Sequence, residues 1–108
     1  ELRSLFFARK ERMIPIYGNK EIIEILKERF AYLFEGGQHY IYPKILEPHF
    51  VEGGFSVQGA SIISFTQVHG VGTSLGYRFG KMAYSTDVTD FDERAQECLK
   101  GLDVWVID

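Results

Sequence analysis

Hydrophobic positions along the chain change period several times, and each change marks an expected element. Ile22, Ile23, Leu26, Phe30, Leu33 and Phe34 recur at helical spacing behind Asn19, a residue type that caps helix N-termini. Lys27 and Arg29 fall in the C-terminal half, where cations suit the helix dipole, and Gly36-Gly37 supplies the stop. One amphipathic helix with a single buried stripe is expected between Asn19 and Gly36. Before it, Glu1 to Phe7 reads as helical although it opens without a capping residue. Met13-Ile14-Pro15-Ile16-Tyr17 reads as an edge strand or a strand start, because proline cannot donate to a ladder.

Beyond Gly37 neither period survives. Gln38 to Pro48 carries Tyr40, Tyr42, Pro43 and Pro48 and reads as a loop bearing aromatic side chains. Alternation then takes over in Phe55-Ser56-Val57-Gln58, in Ser61 to Val68 and in Leu75 to Phe79, so three strands are expected. Gly80-Lys81 makes a tight turn into a fourth, Met82-Ala83-Tyr84-Ser85-Thr86. Asp90 and Glu93 resemble a capping box for a second helix, with Phe91, Ala95, Cys98 and Leu99 on its apolar face and Lys100-Gly101 at its end. The closing Asp103-Val104-Trp105-Val106-Ile107-Asp108 is apolar nearly throughout, the pattern of a strand covered on both faces inside a sheet. A central strand at the very end of a chain implies more protein beyond it.

Composition narrows the function classes. The 108 residues are 45 % hydrophobic and 25 % charged, ordinary for one small globular domain, and no repeat or low-complexity tract interrupts them. Twelve basic against 15 acidic residues leave a formal charge of −3, which argues against a nucleic-acid polymer or an anionic membrane as partner. Cys98 stands alone, which excludes an intramolecular disulfide and a Cys-rich zinc module and fits a reducing, cytoplasmic compartment. Apolar runs such as Val104 to Ile107 fall far short of the roughly 20 residues a bilayer demands. Serine-hydrolase elbows and Walker sequences are missing, and Gly70-x-Gly72 with Gly76 lacks the third glycine and the following helix of a dinucleotide loop.

The chemistry concentrates at two strand ends. His69 follows directly on one expected strand and Asp87 on another, with Leu75 to Phe79 between them. An up, down, up meander would bring both to one edge of the sheet, two strand spacings or about 10 Å apart between backbones. Imidazole and carboxylate are ligand types that suit zinc, manganese and iron, and a carboxylate can bridge two ions. Gly70, Gly72, Ser85 and Thr86 would permit close backbone approach and supporting hydrogen bonds. Spacing alone leaves open that Asp87 is a turn residue and His69 a structural one.

The segments Phe65 to Gly70, Ser74 to Gly80, Met82 to Val88 and Gly101 to Asp108 together resemble the metallo-β-lactamase superfamily, in the branch that contains the phosphonate-pathway cyclic phosphodiesterase. The resemblance implies an α/β fold, part of an αβ/βα sandwich with a mixed sheet and flanking helices. It implies His69 as ligand to one metal and Asp87 as the carboxylate bridging two, the cofactors being two divalent ions, zinc or manganese. The substrate implied is a small-molecule phosphate diester or nucleotide-like compound, and the assembly a homodimer. The superfamily's His-x-His-x-Asp-His motif and the ligating histidines after its last strand are absent. Residues 1–108 are accordingly expected to be one partial, internal segment of a larger hydrolase domain, inactive and self-associating when alone. An alternative class is a metal-free interaction or swapped-subunit module whose sheet is completed by another chain. His39 and His49 read as surface or substrate-side residues, Tyr40 and Tyr42 as self-packing aromatics or base-stacking platforms, and Cys98 as inert core.

Overall fold

Residues 2–37 and 43–108 are described by a computed structural model, in which the chain divides into two compact units, 1–51 and 52–108. In the first unit α1 (Leu2–Ala8) leads to β1 (Ile14–Gly18), then to α2 (Lys20–Arg29), α3 (Ala31–Glu35) and β2 (Leu46–Phe50). β1 and β2 pair in parallel from Ile14↔Leu46 to Gly18↔Phe50. Parallel neighbours require a crossover, and α2 with α3 provides it. Phe6, Ile14, Phe34, Ile45 and Leu46 form the core beneath, with Ile16, Leu26 and Leu33 packed against it.

Asn19 caps α2 as expected, its Oδ1 accepting the Ile22 N–H at 2.8 Å. The single long helix does not form. Phe30 leaves the helical region at φ −128° and ψ 39°, so the segment becomes two helices. On one straight helix Phe30 and Phe34 would share a stripe; the break buries Phe34 at 5 % exposure and leaves Phe30 at 41 %. β2 also corrects the expectation of an unbroken loop to Pro48. Its register places Pro48 beside Ile16, and β2 has a partner on one side only among the described residues, so the missing N–H is tolerated.

The second unit is a five-stranded sheet in chain order: β3 (Gly54–Val57), β4 (Ala60–His69), β5 (Gly72–Phe79), β6 (Met82–Ser85) and β7 (Val104–Ile107). β3 to β6 are antiparallel in turn, whereas β7 runs parallel to β6 after a crossover through α4 (Glu93–Cys98). Phe65↔Gly76, Gln67↔Ser74 and His69↔Gly72 lie on one face of the sheet, with Ala83, Ser85 and Trp105 continuing it. Towards this face Phe91 packs on Trp105 with ring centroids 5.4 Å apart, and Ala95 of α4 is fully buried.

One expectation fails here for an identifiable reason. The cap of α4 is Asp92, whose carboxylate accepts the Ala95 N–H at 2.8 Å, because the backbone of Asp90 is already engaged by β4. β7 pairs with β6, its other edge has no partner among the described residues, and Val104, Trp105, Val106 and Ile107 are 41–53 % exposed. Among the described residues no helix is long and apolar enough to cross a membrane.

Candidate functional site

The up, down, up meander forms. β4 and β6 run the same way with β5 between them, so both C-terminal ends reach one edge of the sheet, where ligands bind in open α/β sheets. His69 is the last residue of β4, one position later than the alternation indicated, and Asp87 lies two residues beyond β6; both are exposed.

The chain then closes the gap between the two ends. Residues 86–90 cross β5 and dock on the edge of β4 that β3 leaves free, since β3 pairs only with Ala60–Ile63. The Val68 N–H donates to the Asp90 carbonyl at 3.0 Å, and the Thr89 N–H donates to the Val68 carbonyl at 2.8 Å. Gly70, at φ +59°, turns its N–H onto Thr89 Oγ1 at 3.2 Å. The residues on either side of His69 are thus bonded to the segment that follows Asp87.

Beneath this segment lies a polar network absent from the sequence reading. Gln67, 1 % exposed, donates through Nε2 to Ser74 Oγ at 3.0 Å and to the Thr86 carbonyl at 3.3 Å. Ser74 in turn donates to the Asp87 carbonyl at 2.8 Å. Alternation carried the signal, since Phe65, Gln67 and His69 share a face and a polar residue between two inward positions needs a partner. Ser85, expected to support Asp87, is committed elsewhere: it is fully buried and its Oγ accepts the Trp105 indole N–H at 3.1 Å.

As a donor set, one imidazole and one carboxylate suit a divalent transition ion in kind but supply two of the four or more donors it requires. Among the described residues no group of three or more His, Cys, Asp or Glu comes together. His49 lies on β2 of the first unit, stacked on Tyr17 with centroids 4.9 Å apart and 3.1 Å from the Glu47 carboxylate. His39, Tyr40 and Tyr42 lie outside the described residues. Cys98 is partly buried on α4.

Known proteins resemble this arrangement. A solved structure described as a new diphosphatase from the PhnP family superposes with a TM-score of 0.79 and 32 % identity, over 96 % of this chain and 38 % of that one. An octanoyltransferase of Porphyromonas gingivalis (strain ATCC BAA-308 / W83) is 26 % identical over 103 residues, 94 % of this chain and 20 % of that protein. The chain therefore spans well under half the length of either. The sequence model of the beta-lactamase superfamily domain matches residues 1–108, throughout the chain, and the chain belongs to the metallo-β-lactamase superfamily.

Proposed function

We propose that residues 1–108 are part of a metal-dependent hydrolase acting at phosphorus in small-molecule diesters or diphosphates, with His69 and Asp87 as two ligands of a two-metal centre. The observation that carries this reading is the placement of His69 and Asp87 at one edge of the sheet, at the end of β4 and just beyond β6, with the 86–90 segment bonded back to β4. Superfamily membership and the diphosphatase neighbour support the hydrolase class. His69 offers a neutral nitrogen, and Asp87 offers two oxygens on a side chain that can reach two ions at once. When bound, a pair of divalent ions supplies Lewis acidity and makes water nucleophilic near neutral pH. This chain's own contribution is to place the two ligands on one sheet edge, which limits the reorganisation a centre must undergo.

The test is the metal content of protein purified from zinc- and manganese-supplemented medium, beside His69→Ala and Asp87→Ala. Substoichiometric metal that is lost in both variants is the expected result. Metal retained in both would place it elsewhere and overturn the assignment.

A second reading, a metal-free interaction module, is favoured by one observation. Met82, Tyr84, Val104 and Val106 form an apolar patch on one face of β6 and β7, each 40–52 % exposed. Metal binding that depends on His69 and Asp87 separates the two readings.

A further inference from the structure

Asp87 adopts φ +52°, in the left-handed region. Aspartate is among the few residues with a β-carbon that visit this region, and local contacts decide whether it stays there. The holding contacts are few and identifiable. Ser74 donates to the Asp87 carbonyl at 2.8 Å, and Gln67 bonds both Ser74 Oγ and the carbonyl of Thr86, the preceding residue. The acceptors that Gln67 faces fix the orientation of its amide, with Nε2 towards them.

The other half of that amide is unfavourable for stability. Among the described residues Gln67 Oε1 is buried without a hydrogen-bond partner, facing Gly76, where a Cβ would lie 2.5 Å from it. A buried unsatisfied acceptor costs about 1–3 kcal/mol. Stability alone would favour an apolar side chain at this position. Gln67 is therefore better explained by what its Nε2 holds than by what its burial contributes.

We infer that Gln67 and Ser74 are positioning residues that clamp the Asp87 peptide in its left-handed conformation and so aim the carboxylate along the edge shared with His69. Gln67 stands two residues before His69 on the same strand face, so one network references both ligands to the β4–β5 hairpin. The functional meaning of the clamp rests on the proposed metal centre; its existence does not.

Nuclear magnetic resonance of the 108-residue chain tests both parts separately. Without metal, the Asp87 HN–Hα coupling and its Cα and Cβ shifts report the left-handed conformation. Ser74→Ala is expected to lose that signature and Ser74→Thr to keep it. Gln67→Met, close in volume and free of the orphaned acceptor, is expected to lose the signature while its unfolding midpoint holds or rises. With Mn²⁺ added, the ion concentration needed to broaden Asp87 and His69 should rise about fivefold in Ser74→Ala, the worth of one net hydrogen bond. An Asp87 signature unchanged in Ser74→Ala and Gln67→Met overturns the clamp. A wild-type chain whose His69 and Asp87 are both unaffected by Mn²⁺ overturns the metal reading and leaves the clamp to be decided by the metal-free spectra.

Discussion

Gly76 shows how narrow the tolerance is at single positions near the site. It pairs with Phe65 across β4 and β5, and an added Cβ would intrude on the Phe65 ring and lie 2.5 Å from Gln67 Oε1. Gly76→Ala should destabilise the chain by about 1–3 kcal/mol, the usual cost of overpacking, and lower the denaturant midpoint accordingly. An unchanged midpoint would mean that Phe65 and Gln67 can yield. Tyr77, next along β5 and edge-on to Phe55 at 6.4 Å, is half-buried, and desolvation raises its phenol above the ordinary value near 10. A raised pKa favours the neutral form in the folded state. Its contribution is therefore complete below pH 10 and is lost as pH climbs through the folded value. Tyr77→Phe should remove that part of the alkaline destabilisation seen by circular dichroism, and an identical alkaline limb in the variant would contradict it. At this scale the two proposed ligands are readable as residue types, whereas the residues proposed to hold them are not. His69 and Asp87 are legible as ligand types at strand ends, whereas Ser74 and Gln67 gain their role only when the 86–90 segment folds back over them.

Elements were legible where a period is imposed by burial on one side. β4 and β5 alternate because one face packs under α4, and α2 shows its stripe because Ile23 and Leu26 face the first unit's interior. Legibility failed where tertiary partners decide. β2 is five residues long, contains Pro48 and pairs along one edge, so Leu46–Phe50 carries no period of its own. The α4 cap falls on Asp92 and not on the expected Asp90, since the Ala95 N–H donates to the Asp92 carboxylate while the Asp90 carbonyl is taken by Val68. Asp92→Ala should therefore cost about 1 kcal/mol of stability, whereas Glu93→Ala, outside the cap, should cost a few tenths or less. Equal losses in urea denaturation would restore the expected capping box.

For the whole chain, the exposed patch of Met82, Tyr84, Val104 and Val106, beside the edge of β7 that has no partner among the described residues, favours association. Sedimentation velocity at tens of micromolar is expected to show species larger than a monomer, reduced by Val106→Lys. A monodisperse monomer would contradict this. His69 and Asp87 are proposed to serve one centre and not to occupy two unrelated positions. The most direct measurement is a double-mutant cycle on Mn²⁺ binding, followed by electron paramagnetic resonance of the free ion, with His69→Ala, Asp87→Ala and the combined variant. Shared ligation predicts that either substitution removes most of the affinity and that the second adds little. Losses that simply add, or a double variant that binds like the wild type, would show that the two residues do not hold the same metal centre.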